Sequence, residues 1–205
     1  MKPVWISEKI AYFDQRGPEW DLIVGNDEER RAKIRAVFDS IDLAKGDTVL
    51  DAGCGNGVLF DFIEEKMGAA GRLVAVDAAP SMIQRARELY PDYGNIEFRV
   101  GMLESLLLED SFFDAVLCFS ILPHVDDLPK VLSRFKKSLK AGGKLYIFHL
   151  SDTRSLNAFH GGLDGPVKHD LLPEKDEMLS LLEAAGFTVR DYIDRTGLNF
   201  IECLA

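Results

Sequence analysis

The stretch Val49-Leu50-Asp51-Ala52-Gly53-Cys54-Gly55-Asn56-Gly57 decides the fold. It starts in a short apolar strand, Thr48-Val49-Leu50. It runs into a helix read over Val58 to Met67, with Leu59, Phe62, Ile63 and Met67 on one side. A strand that feeds a helix through a glycine-rich turn is the ligand-binding corner of an open α/β sheet. Three glycines at alternate positions let the backbone turn sharply and let a ligand approach the main chain. The spacing is GxGxG with Val58 next, whereas a dinucleotide fingerprint reads GxGxxG. Asp51, two residues before the first glycine, would repel a pyrophosphate and attract a cation or an ammonium group. The loop therefore suits a zwitterionic or cationic ligand; the plainer reading is a tight turn with no ligand.

Working outward, Leu73-Val74-Ala75-Val76 reads as the second strand and ends at Asp77. An acid there is placed to accept two hydrogen bonds from ribose hydroxyls, or to cap the next helix. Pro80 suits the first turn of that helix, which runs to about Leu89. Ile96 to Val100 and Phe113 to Phe119 read as the third and fourth strands. Leu128, Val131, Leu132, Phe135 and Leu139 mark a helix closed by Gly142-Gly143, and Lys144 to Leu150 is the fifth strand. Upstream, Asp27 opens a helix with Ile34, Val37, Phe38 and Ile41 at helical spacing, and the first 25 residues read as irregular, with Trp5, Tyr12, Phe13 and Trp20. Downstream, Ser151 to Leu171 shows no clear period. A helix from Pro173 to Ala185 stops at Gly186, and Phe187 to Ile193 and Asn199 to Leu204 form a last pair around Gly197. Alternating strands and helices predict a Rossmann-like α/β fold: a seven-stranded, mostly parallel sheet with helices on both faces. The short connection of the last pair predicts that the final strand is antiparallel.

Composition bounds the rest. The chain has 205 residues, 47% of them hydrophobic, and a net charge of −10. That length predicts one domain over 1–205, with 1–26 as an N-terminal cover and 151–171 as a loop on the substrate side. The acidic balance argues against a nucleic-acid partner. Cys54, Cys118 and Cys203 are too scattered for a disulfide framework or a paired-cysteine metal site. With no apolar run of spanning length and no signal-peptide pattern, the expectation is a cytoplasmic protein without a membrane partner. Lys130, Arg134, Lys136, Lys137, Lys140 and Lys144 read as a solvated helix face.

These residues resemble a class I S-adenosylmethionine-dependent methyltransferase, of the ubiquinone/menaquinone-biosynthesis-type (type 11) group. The resemblance runs from about Asp27 to Ala205. It includes Asp51 to Gly57, Asp77 with Met82, Phe113-Asp114-Ala115-Val116, and Leu139-Lys140-Ala141-Gly142-Gly143, which matches an "LKPGG" turn with Ala141 in place of proline. It implies S-adenosylmethionine as cofactor. The methionine part would be held by Asp51, Gly53, Cys54, Gly55, Asn56 and Gly57, the ribose by Asp77, and the adenine would pack near Met82. Further cofactor contacts are implied at Ala78, Met102, Leu103 and Phe119. Two positions depart from the family. Met102 stands where an acid often reaches the adenine amino group, which leaves main-chain groups, packing or Glu104 for that contact. Ala79 stands where a serine often caps the next helix.

The implied activity is methyl transfer to a small-molecule acceptor. All four histidines, His124, His149, His160 and His169, lie in the second half of the chain. His124 follows the fourth strand and His149 ends the fifth. With His160 they are the candidates for a catalytic base, since an imidazole can take a proton near neutral pH. Arg154, Asn157 and His160 are three apart, so a helical turn or two would set them on one face, and with His169 they are the candidate substrate residues. The alternatives are an inactive cofactor-binding or sensor protein of the same fold, and a methyltransferase with a histidine-bound metal on the substrate side. No HxH or HxxxH spacing supports the metal, and no metal is assigned. Tyr12 and Trp20 are candidates for a lid over the cofactor, or else anchors of the N-terminal segment.

Overall fold

The computed structural model describes the backbone of residues 4–20 and 27–205, with side chains from 8 onward. Residues 1–3 and 21–26, and the Trp5 side chain, lie outside the described residues. The chain forms two compact units, Met1–Met102 and Leu103–Ala205. Seven strands run in the order β3-β2-β1-β4-β5-β7-β6.

In the first unit, β1 (Thr48–Ala52) pairs in parallel with β2 (Arg72–Asp77), which pairs in parallel with β3 (Ile96–Val100). Val49, Leu50, Leu73, Val74, Ala75 and Val76 are buried in sequence, the continuous apolar pattern of strands covered on both faces. Helix α2 (Glu28–Phe38) is capped by Asp27, whose side chain accepts from the Arg30 N–H, and Glu28 and Glu29 sit in its first turn. Helix α3 (Phe60–Met67) buries Phe62 against Phe38 of α2, and α4 (Pro80–Leu89) packs on β2 and β3.

The N-terminal segment departs from the irregular reading. Val4–Asp14 is a helix, α1, and Gly17–Glu19 forms one 3-10 turn. Ile10, Tyr12 and Phe13 are each half-buried, so no sharp apolar stripe marks the helix in the sequence. Its last residue supplies what α4 lacks. Ala79 offers no side-chain cap, and Asp14 instead accepts from the Ser81 N–H at 2.7 Å, while Ser81 Oγ donates to the Asp14 carbonyl at 2.5 Å.

In the second unit, β4 (Phe113–Phe119) pairs in parallel with β5 (Leu139–His149). β7 (Leu198–Leu204) lies antiparallel to both β5 and β6 (Thr188–Arg195). The antiparallel last strand is as expected. Helix α5 (Leu128–Ser138) is capped by Asp127 and buries Val131, Leu132 and Phe135. It ends before Gly142-Gly143, at Ser138, and the extended backbone of β5 begins at Leu139. Pairing jumps from Phe113 opposite Leu139 to Ala115 opposite Lys144, so the glycines sit in a bulge where Gly142 takes a φ of +76°. Three members of the basic run form ion pairs: Lys137 with Asp110 at 3.1 Å, Lys140 with Asp114 at 2.7 Å and Lys144 with Glu202 at 3.9 Å.

The segment read as a loop also contains a helix, α6 (Thr153–Gly161), with Asp152 accepting from the Ser155 N–H at its start. Its inward positions are polar, Thr153 and His160, while Phe159 is exposed; this inverts the usual pattern and hides the helix from a periodicity search. Helix α7 (Lys175–Ala184) packs on α5 and β6 and buries Met178 and Leu182.

Asp14→Ala should cost about 1 kcal/mol, the scale of a lost helix cap. Limited proteolysis is the check: cleavage within residues 8–20 should rise several-fold, while the rest of the chain stays resistant.

Candidate active site

At the end of β1 the chain leaves the sheet through the glycine loop. Gly53 and Cys54 both donate their N–H to the Val76 carbonyl, at 2.8 and 2.9 Å, which ties the loop to β2. Gly57 takes a φ of +90°, and a Cβ there would stand 2.6 Å from the Phe60 ring, so this position is closed to side chains. Asp77 locks the loop from the other side. One carboxylate oxygen accepts from the Gly55 N–H and the other from the Ala79 N–H, each at 2.9 Å. Each oxygen keeps a second lone pair, enough for a diol.

Asp51 differs. It is 1% exposed, and neither carboxylate oxygen has a hydrogen-bond partner. Burial, then the charge of Asp77, pushes its pKa up to about 8. Burial raises half-buried Asp77 less, to about 6, because backbone N–H groups oppose the shift. Cys54 is buried, and its thiol is held well above its ordinary range by burial and by the two carboxylates, so it stays protonated. Met82 is buried at 2% exposure. Trp20 comes down on the loop: its indole Nε1 lies 3.8 Å from where a Gly55 Cβ would stand. The Tyr12 ring is covered on one face by the Arg16 guanidinium at 3.5 Å.

In the second unit, the residues beyond β4 and β5 form a second cluster. His124 ends a 3-10 turn, Leu122–His124, and its Nδ1 lies 2.6 Å from Asp170 Oδ2. The His160 ring stands 5.2 Å from that of His124, and its Nδ1 donates to the Asp170 carbonyl. His149 is buried with no partner on either ring nitrogen, and burial followed by the charges of His124 and His160 lowers its pKa to about 3. His149 is therefore neutral near pH 7. Asn157 both donates to and accepts from the Leu172 backbone, at 2.9 and 2.8 Å. Arg154 and His169 are exposed. The structure thus gathers His124, His149 and His160, and it leaves Arg154 and His169 outside that cluster. Asp170 joins it from 46 residues beyond His124, a separation that carries no sequence signal. One Glu104 oxygen accepts from the Asp126 N–H at 2.9 Å. Among the described residues no group of His, Cys, Asp and Glu is arranged to hold a metal ion, and no helix is long and apolar enough to cross a membrane.

Comparison with known proteins follows this geometry. The Methyltransferase domain family model matches residues 50–147. A ubiquinone biosynthesis O-methyltransferase of Xylella fastidiosa is 31% identical over 220 residues, spanning 94% of this chain and 85% of the relative. The chain belongs to the class I S-adenosylmethionine-dependent methyltransferases. A Xanthomonas oryzae protein of the same name is 33% identical over 69% of this chain but 57% of its own length. A Streptomyces fradiae transposon protein is 25% identical, with 38% of its length spanned. The chain thus spans little more than half, or less, of several curated relatives that it matches. Among solved structures, a chain from the complex between the Haloferax volcanii Trm112 methyltransferase activator and a methyltransferase has a TM-score of 0.79 at 20% identity, covering 94% of this chain and 97% of that one. An Aquifex aeolicus SAM-dependent methyltransferase has a TM-score of 0.73 at 21% identity, covering 93% and 97%. At that identity the likeness is one of fold.

The family's cofactor is S-adenosylmethionine, and the first unit fits it. A buried carboxylate without a donor is what an ammonium group would satisfy, and a second carboxylate keeps lone pairs for a diol.

An acid with a raised folded pKa stabilises most below its unfolded value, about 3.9, and loses that contribution as pH rises towards the folded value. Buried neutral His149 has the opposite sign, but its effect is complete above its ordinary value of 6.5. Between about pH 6.5 and about pH 8, Asp51 therefore dominates, and the ligand-free chain should lose stability. Thermal unfolding should show Tm falling over this window in the wild type and staying flatter in Asp51→Asn.

Proposed function

We propose that this chain transfers a methyl group from S-adenosylmethionine to a small-molecule acceptor. The observation that carries the reading is Asp51: a carboxylate at the end of β1, out of water and without a donor. Such a group persists where a bound cation completes it. Asp51 would take the ammonium of the methionine part, directly or through water. The backbone of Gly53, Cys54, Gly55, Asn56 and Gly57 would let that part approach the main chain. Asp77, already fixed by two backbone N–H groups, would hold the ribose hydroxyls, with Ala78 beside it. Met82 and Met102 would line the adenine side, and Leu103 and Phe119 are further candidate contacts. Trp20 would shield the loop from water.

When bound, S-adenosylmethionine supplies an electrophilic methyl on a sulfonium. The chain's own work is to align the acceptor, exclude water and receive a proton where the acceptor carries one. The small-molecule reading is supported by the printed names of its O-methyltransferase relatives.

Calorimetry tests the reading. S-adenosylmethionine and its demethylated product should bind saturably, and NAD should not. Asp51→Asn removes no protein hydrogen bond, so it should leave the fold intact and weaken cofactor binding by about 1.5–3 kcal/mol, the scale of a bond to a charged group. Asp77→Asn should weaken it by about 1–3 kcal/mol. Saturable NAD binding with no heat from either sulfur nucleotide would overturn the proposal.

A further inference from the structure

The two edge strands of the sheet are built differently. β6 carries Arg190, Asp191, Asp194 and Arg195 among its eight residues, and its pairing with β7 breaks register between Val189 and Asp191. Charges and a bulge are the usual protection of an edge strand. β3 reads Ile96-Glu97-Phe98-Arg99-Val100, holds no proline or lysine, and pairs with β2 without a shift. Among the described residues no strand lies on its outer side. The ladder with β2 shows which backbone groups that side presents. The Asn95 carbonyl accepts from the Leu73 N–H at 3.0 Å at one end of the strand, and the Gly101 N–H donates to the Asp77 carbonyl at 2.9 Å at the other. Alternate residues of a parallel pair face the neighbour, so Asn95, Glu97, Arg99 and Gly101 turn their backbone groups to β2. Ile96, Phe98 and Val100 turn theirs outward.

The side chains alternate between the two faces of the sheet. On one face Glu97 accepts from Arg99 Nε at 2.7 Å and from Arg72 Nη2 at 2.6 Å. These two guanidinium groups hold the Glu97 carboxyl below its ordinary range, so it is charged near pH 7. The other face is an apolar row of Ile96, Phe98 and Val100. Phe98 is anchored in the fold: its ring lies 5.9 Å from that of Phe60 and 5.0 Å from the Arg87 guanidinium. Val100, at the end of the row, is 52% exposed.

We propose that the outer edge of β3 docks a second copy of this chain, the two β3 strands pairing antiparallel about a two-fold axis at Phe98. In that register Phe98 faces its counterpart, Ile96 faces the second copy's Val100, and Glu97 faces the second copy's Arg99. The outward N–H and C=O groups of Ile96, Phe98 and Val100 fall at the hydrogen-bonded pairs of the new ladder. Four charges alternate in sign around the axis, each Glu97 beside one Arg99 along its own strand and opposite another across it. The neighbouring two-fold registers that keep backbone bonds fail on charge. Centring on Glu97 sets carboxylate against carboxylate, and centring on Arg99 sets guanidinium against guanidinium, directly opposite, where like charges repel. The strand is thus complementary to itself in one register and repels the next on either side. The apolar rows of the two copies meet on the other face, and Val100 is covered. Five residues a side is a small contact, so the dimer is weak and depends on concentration.

Sedimentation velocity of the whole chain, from about 1 to about 500 µM, tests this over the span in which a weak dimer forms. The weight-average mass should rise towards twice that of one chain, and the Ile96, Phe98 and Val100 amides should gain protection from hydrogen exchange over the same span. A charge swap between copies tests the register. Glu97→Arg sets arginine against arginine, and Arg99→Glu sets glutamate against glutamate. Each variant alone should associate at least about tenfold more weakly than the wild type. Mixed in equal amounts, the two restore an opposite-charge pair at both positions, and the mixture should dimerise. A variant that had merely lost its fold would not be rescued in this way. Val100→Pro is a second, independent variant. It removes an N–H that donates nothing within its own sheet, a position where an edge strand tolerates proline, so the fold should persist while association weakens at least about tenfold. A wild-type chain that stays monomeric at about 500 µM overturns the proposal, including the case in which β3 becomes protected only when a different protein is added. A dimer unchanged in Val100→Pro and in both charge variants forms through another surface and overturns it as well. Folded charge variants that stay monomeric when mixed overturn the register.

Discussion

A carboxylate removed from water and given no donor is costly to keep, and β1 ends on one. Ionised Asp51 raises the energy of the ligand-free fold, and the charge of Asp77 adds to that cost. The surroundings do not relieve it. The loop N–H groups are committed elsewhere: Gly53 and Cys54 to the Val76 carbonyl, Gly57 to the Cys54 carbonyl, and Gly55 to Asp77. The turn is therefore rigid without help from Asp51. Backbone hydrogen bonds set the shape of the loop, and burial without a donor leaves Asp51 available to the positively charged group proposed for it.

The second unit solves a different problem. Its carboxylate, Asp170, has a partner from the outset, and the effort lies in positioning. A backbone carbonyl, an asparagine clamp and two buried apolar anchors place one side chain on one imidazole nitrogen. Of the row Arg154, Asn157 and His160, Asn157 and His160 are turned towards the protein's own backbone, and Arg154 is exposed.

The sheet was legible in the sequence because its strands obey simple rules. Continuous apolar runs, the acidic helix start at Asp27, and the GxGxG turn fix β1 to β4 and the helices α2 to α4 to within a few residues. The acids at the ends of β1 and β2 were legible for the same reason, since each sits at a fixed offset from a recognisable turn. Helix α6 was not legible, because it buries Thr153 and His160 and exposes Phe159, so hydrophobic periodicity points the wrong way. Helix α1 lies half-exposed and shows no stripe. Asp14 on Ser81 and Asp170 on His124 were invisible, since both pairings span long separations, 67 and 46 residues, that no local pattern encodes. The end of α5 was misplaced because the glycines that look like a helix stop belong to a bulge within β5.

The placing of β7 between β5 and β6 has a consequence for how the second unit is made. Strand β5 is complete at His149, yet its antiparallel neighbour begins only at Leu198. β6 leaves the ribosome before the strand it pairs with and has no ladder of its own until β7 arrives. During synthesis, one edge of β5 and the whole of β6 must wait for residues 198–204 with their backbone N–H and C=O groups hydrated or held by other factors. Pairings of such sequence separation form late and slowly. Until they form, the exposed edge of β5, with Leu145, Ile147 and Phe148 alongside, offers a template for the same strand of another nascent copy. Crowding of nascent chains is then a condition that favours this mispairing.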